Sequence, residues 1–392
     1  MTTTRTINGD RIKQAREIFG ITQAELAEKA GVNQSTIAYL EQSAPVFAPS
    51  DAVIESIAFQ LGFPVSYFRR GSAPDFPLGS LLYRKKKALK ASDRNRIRQF
   101  ARFAYELAEY MSDRLQLPAL TLPRIVNEDP VTAAQVTRAA LGMSPDTPIK
   151  NLIYQLEKNG VLVLAIPYDI DEHDSFSIWV SENPPPKPVI IISAGKPGDR
   201  QRFSVSHELG HLIKHRNYQG GLSAMEDEAD LFAAEFLMPA DAIYQDLQAP
   251  LTLAKLAALK IKWGVAIQAL IVRAHQLGTI TPRQYTYLFQ QITKLGYRKR
   301  EPESLDIQAE KPRGLRKMAE LIYGVPINFE KIASDMDVSV SLVKTLFSIY
   351  ADRQDLEQRP TEDVSNKPDD EGLLSGKPRS NVVSIFGNRK NG

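Results

Sequence analysis

The chain contains no cysteine. That excludes disulfides and removes thiolates from any metal site, so a bound cation would have to be held by His, Asp or Glu. Histidine is scarce too, with five in 392 residues, so a regular spacing between any two of them carries weight. No apolar run approaches the roughly 18 to 20 residues that a membrane span needs. The start, Met1-Thr2-Thr3-Thr4-Arg5, lacks the apolar stretch of a secretory signal. These absences suit a cytoplasmic protein with no membrane partner. The hydrophobic fraction of 43% and charged fraction of 24% are ordinary for a globular protein.

The net charge of +3 hides a division along the chain. From Arg84 to Arg102, nine basic residues stand against one acid, Asp93. From Asp355 to Glu371 the balance reverses. Such asymmetry points to nucleic acid more than the total does, although a solvated helix face would read the same way.

Residues 9–68 read as short, closely spaced helices, with Gly20 and Gly31 ending periodic stretches and Thr22 and Asn33 ahead of the next ones. Helices are expected over 91–115, 131–142 and 146–158. The pattern then turns to strands at 161–166, 175–180 and 188–193. Pro188 and the Pro-rich loop before it fit an edge position, and the edge of 175–180 could pair with an extended peptide. Helices follow from about Asp199 to His215 and from about Ala224 to Phe236. Beyond Pro250 helices return, with breaks at Gly264, Gly278, Gly296, Pro302, Pro312 and Pro326, and Lys260 to Arg273, with Trp263, reads as a packing helix. Residues 328–348 faintly repeat the rhythm of 9–68, and a plain helical pair explains them as well. After about Asp355 the Pro, Ser, Asn and charge content cannot bury a core, which predicts a disordered tail.

The segment Ser206-His207-Glu208-Leu209-Gly210-His211 places HExxH inside a helical pattern. Two histidines four apart share a helix face, about 6 Å between Cα atoms, so both rings can reach one zinc ion. Glu208 can then reach the water on the metal and act as general base. His215 continues the spacing but lies about 12 Å from His207 along a helix, too far to share the ion. The third ligand is therefore expected to be a carboxylate from the next helix. Glu226 and Asp230 share a face there at i, i+4, flanked by the small Ala229 and Ala233. Glu226 would ligate while Asp230 accepts a hydrogen bond from a ligand histidine's other nitrogen. Glu228 is the competitor for the ligand role. Asp227 and Glu235 read as surface acids. His173, Tyr168 and Tyr218 are candidates for a further electrophile, with no spacing to choose among them.

The run RFSVSHELGHLIKH followed by EDEADLFAAEFLMP resembles the ImmA/IrrE family of metallopeptidases over roughly residues 150–240. The resemblance implies a zincin-like fold, His207, His211 and Glu226 as zinc ligands, Glu208 as general base, and proteolysis of a repressor-type protein. Residues 9–68 resemble the phage-repressor (Xre/Cro) helix-turn-helix family. Arg11, Arg16, Ile21-Thr22-Gln23, Ala30-Gly31-Val32 and Leu40-Glu41 fall at its positions. Ile12, Leu26, Ala27, Val32, Ile37 and Leu40 would form the small core. The recognition helix would run from about Gln34 to Leu40. Asn33, Gln34, Ser35, Thr36 and Tyr39 then face bases, and Gln23 faces phosphate. Gln42 to Pro49 departs from that family, being longer and more apolar than its usual basic turn.

The expected fold class is α+β multidomain. It comprises a five-helix DNA-binding domain (1–72), a basic helical linker (73–125), a zincin-like domain with a small sheet (126–250), a helical region that could be helix-turn-helix-like (251–355) and a tail (356–392). The leading function is a zinc endopeptidase coupled to recognition of a DNA operator and cutting a repressor-type regulator; reading two half-sites would need a homodimer. Two other readings stand beside it. One is a transcription regulator whose zinc domain senses without cutting; the other is the antitoxin or immunity half of a two-gene module.

Overall fold

The computed structural model describes residues 7–42, 49–73, 90–125, 127–168, 175–180, 187–216 and 222–350. The expected tail, His173, Tyr218, most of the 42–49 departure and Arg84 to Lys87 lie outside them. The amino-terminal unit contains α1 (Gly9–Ile18), α2 (Gln23–Ala30), α3 (Gln34–Leu40), α4 (Asp51–Leu61) and a 3₁₀ turn at Val65–Arg69. A reciprocal cap fixes the start of α2: Glu25 N donates to Thr22 Oγ1 and Thr22 N donates to a Glu25 carboxylate oxygen. Gly31, at φ 70°, ends α2 in the left-handed region, and α3 starts three residues on. Ile12, Leu26, Ala27, Ile37 and Leu40 are buried, whereas Val32 is only half-buried. Glu41 closes the unit by accepting from Arg16 (2.5 and 2.9 Å) and from Gln23 (2.8 Å).

The described part of the basic run forms α5 (Ala91–Ser112). Arg96 and Arg102 are used differently from the nucleic-acid expectation. Arg102 pairs with Asp10 at 2.8 Å, and Arg96 donates to Ile18 O and lies over the Tyr168 ring. Glu106 accepts two bonds from Arg11, at 2.6 and 2.8 Å, while Asn95 and Gln99 reach Glu17. These bonds dock α1 on α5, so Arg96 and Arg102 serve the interior of the molecule. The reason is geometric. One stripe of α5 must bury Phe100, Phe103, Leu107 and Met111, and the arginines flanking that stripe meet the acids of α1.

Next come α6 (Pro130–Ala140) and α7 (Leu152–Lys158). The helix expected from 146 begins only at Leu152, because Pro148 lacks an N–H and Asn151 turns left-handed at φ 52°. Three strands follow: β1 (Leu162–Ile166), β2 (Ser175–Val180) and β3 (Lys187–Ser193). Their order is β1-β3-β2, with β1 and β3 parallel and β2 antiparallel to β3. Pro188 is thus in the middle strand, contrary to the edge expectation. It is tolerated at the strand start, where it faces Trp179 of β2 and the register with β1 begins one residue later, at Val189.

On this sheet lies α8 (Gly198–Lys214), and against α8 lies α9 (Leu222–Leu237). Gly210 makes the approach possible, since a Cβ there would come within 3.1 to 3.2 Å of Phe232. After α10 (Ala240–Ile243), the stretch 260–273 falls in two helices, α11 (Leu253–Trp263) and α12 (Ile267–Gln276), separated at left-handed Gly264, one of the expected breaks. Then come α13 (Pro282–Lys294), α14 (Gly314–Tyr323), α15 (Phe329–Met336) and α16 (Val340–Phe347). The pair α15–α16 repeats α2–α3 with a displacement of 306 residues, from Gln23 to Phe329, Gly31 to Asp337 and Gln34 to Val340. Asp337 is left-handed like Gly31, and Val338 N bonds Ala333 O as Val32 N bonds Ala27 O. The surfaces differ, because Leu342 is buried where α3 shows Thr36. This pair is tied to both other units. Ser66 donates to Asp337 and Arg70 to Met336 O, while Tyr350, just past α16, donates to Ala165 O of β1.

Candidate metal centre

Helix α8 carries His207, Glu208 and His211 in its buried C-terminal half, beneath the sheet and beside α9. His207 Nε2 and His211 Nε2 are 3.0 Å apart. One Glu226 oxygen is 3.4 Å from His207 Nε2, and the other is 3.4 Å from His211 Nε2. Ligands at about 2.0 to 2.1 Å from a tetrahedral zinc are separated by about 3.3 Å. The three side chains therefore sit close to three corners of such a site, and the donor set suits that ion. Among the described residues this is the one group of three or more His, Asp or Glu side chains that could hold a metal.

The other ring nitrogens decide the tautomers. His207 Nδ1 lies 2.7 Å from Asp230 Oδ1 and donates to it, so that the neutral form of the ring offers Nε2 as its acceptor. His211 Nδ1 lies 2.8 Å from His215 Nδ1, and His215 Nε2 lies 3.1 Å from a Glu228 oxygen. Carboxylate Glu228 must accept, so His215 donates through Nε2 and accepts at Nδ1, and His211 donates there. The neutral form of the His211 ring then offers Nε2 as well. Burial, reinforced by the neighbouring His211, holds His215 down to about 4 despite Glu228, so it stays neutral as this relay requires. Burial also opposes charge on His207, but its bonds to Asp230 and Glu226 and the nearby Glu208 outweigh it and lift the ring to about 9. The spot favours a cation.

Glu208 is fully buried. Ser177 Oγ of β2 is 2.8 Å from one of its carboxylate oxygens, and Ser175 Oγ is 3.4 Å from the other. Trp179 Nε1 donates to Leu212 O at 3.0 Å, pinning the same strand to α8. The serines and the relay through His215 and Glu228 were not assigned roles from sequence. Their signals were present: Ser175 and Ser177 alternate onto one face, and 207, 211 and 215 share a helix stripe.

Other expected residues are placed as follows. Tyr168 packs edge-on against Phe100 and under Arg96, which makes it part of the α5 interface. Glu235 is not a surface acid. It is 1% exposed, pairs with Arg273 and accepts from Gln135, because the end of α9 is wedged between α6 and α12. Asp227 is exposed, as a surface acid would be. In the amino-terminal unit, Asn33, Gln34 and Ser35 are exposed, and Thr36, Tyr39 and Gln23 are half-buried.

Residues 156–275 match the family model described as Peptidase_M78, IrrE N-terminal-like domain, and residues 12–68 match HTH_3, helix-turn-helix. No curated protein matches the chain. The fold and site thus define a metallopeptidase-type α+β domain joined to a DNA-binding unit. More particularly, these two matches support a protein of the ImmA/IrrE type with an N-terminal helix-turn-helix. No helix among the described residues is long and apolar enough to cross a membrane.

Proposed function

We propose that the chain is a cytoplasmic, DNA-binding zinc endopeptidase that cuts a repressor-type partner protein to control transcription. The carrying observation is the triangle of His207, His211 and Glu226, whose donor atoms stand at the separations a tetrahedral zinc requires, with both imidazole tautomers fixed from behind. Zinc held there supplies Lewis acidity for hydrolysis of a peptide bond. Glu208 takes a proton from the attacking water on a carboxylate oxygen and passes it to the departing amine. Ser177 and Ser175 restrict the carboxylate to one orientation while it waits. Asp230 and the His215–Glu228 pair keep the two ligand rings turned, with Nδ1 as the donor on each, so that Nε2 faces the metal.

The helix-turn-helix reads an operator through α3, with Asn33, Gln34, Ser35, Thr36 and Tyr39 at base edges and Gln23 near phosphate, two copies covering two half-sites. The test combines metal analysis with cleavage of a co-purified partner. The expected results are about one zinc per chain, lost in His211→Ala, and cleavage lost in Glu208→Gln while the metal stays. A zinc-free wild type sinks the metal centre. The ties from α1 to α5 and from the 3₁₀ turn to α15 favour a second reading, in which metal loading alters DNA binding without cutting. Equal derepression by wild type and Glu208→Gln would decide for it.

A further inference from the structure

An open groove of about 1010 Å³ runs between α9 on one side and α12–α13 on the other. Leu231, Ala234, Ala269, Val272 and Phe289 line it with apolar surface. Its rims differ in charge. Asp227 and Asp230 stand on the α9 side, with Arg200 of α8 also on the lining, and Arg298, Lys299 and Arg300 follow α13 on the other, where Glu301 and Asp306 stand beside them. Part of the basic rim is already engaged, since Arg300 pairs with Asp306 and Arg298 lies over Phe289. Asp230 is shared with the metal centre through His207.

Beyond Tyr350 the sequence carries the same three characters in order: acidic Asp369-Asp370-Glu371, apolar Val382-Val383-Ser384-Ile385-Phe386 and basic Arg389-Lys390. Basic rim, apolar floor and acidic rim are their complements. The chain between Tyr350 and Val382 has ample reach, about 100 Å if extended and about 30 Å as a random coil. Tethering also raises the effective concentration to about millimolar, so a modest intrinsic affinity is enough. We propose that Val382–Phe386 of the same chain docks in the groove between α9 and α12–α13, with Arg389 and Lys390 against Asp227 and Asp230. The docked segment sets two cations beside the carboxylate that orients His207. This inference is independent of whether the chain cuts a protein.

The absence of native cysteine makes the test clean. In the full chain, Ser384→Cys is combined with Gln268→Cys on the groove wall, and oxidised glutathione is added. A control combines Ser384→Cys with Ser341→Cys on α16, which is exposed and nearer along the chain. The groove pair should close an intramolecular disulfide at least about ten times faster than the control, read on non-reducing gels and by mass of the linked peptide. Adding Ile385→Asp and Phe386→Asp should bring the rate down to the control level. Equal rates for both pairs overturn the proposal, as does a rate unchanged by those two aspartates. A bond formed only between two chains also overturns it, placing the tail of a second copy in the groove. Loss of zinc or of cleavage has no bearing on this readout.

Discussion

His211 reaches no carboxylate directly through Nδ1; it reaches Glu228 through the ring of His215. The two ligand histidines are thus oriented by different means, a carboxylate for one and a neutral imidazole for the other. Removing an orienting partner typically costs 10- to 100-fold in metal affinity, roughly. His215→Phe is therefore expected to weaken zinc binding by about that factor in a chelator competition, with helix content unchanged. An unaltered affinity would show that the ring is mere packing. Another single group governs pH behaviour. Glu157 of α7 accepts from the backbone N–H groups of Arg313 and Gly314, yet burial pushes its carboxyl up to about 7. Its folded value is above its ordinary one. The stability it contributes is therefore complete below the ordinary carboxylate range and is lost as pH rises through about 7. Glu157→Gln should flatten the denaturation midpoint across that window, with a difference on the order of 3 kcal/mol between its ends.

At the scale of elements, α8 and α9 succeed as a pair because small residues face each other's bulk. Gly210 meets Phe232, and Ala229 and Ala233 are fully buried. Gly210→Val is expected to cost about 1 to 3 kcal/mol in urea denaturation and to separate Glu226 from the histidines, lowering bound zinc in the same preparation. A variant of wild-type stability would show that the helices have slack. The meeting of His207, His211 and Glu226 was legible in part, because the HExxH spacing follows from helix periodicity, which is local. The start of α7 and the position of β3 were misread. A Pro or Gly marks a change of direction without saying which element takes it up, and strand order depends on residues far apart in sequence. Arg96, Arg102 and Glu235 were misread for a related reason, since a charge looks solvated until its partner is known.

For the whole molecule, the decisive contact is between α1 and α5. Arg11 is 3% exposed and held by Glu106, which Arg70 also approaches. Glu106→Ala would leave Arg11 buried without its carboxylate, a change that costs about 3 to 5 kcal/mol. Limited proteolysis should then release the amino-terminal unit from the rest, whereas wild type resists. If the variant is as resistant as wild type, the helix-turn-helix is held by its apolar contacts alone.

The sequence by itself determined the two paired-helix motifs, the HExxH spacing on α8 and the side chains that α3 shows to solvent. Those features depend on residues within a few turns of one another. Only the tertiary structure decided that the serines of β2 hold Glu208, that Glu228 meets His215, and that Arg96 and Arg102 of α5 face inward. Each of these joins segments brought together by burial of a shared core, and no local periodicity encodes which segments meet.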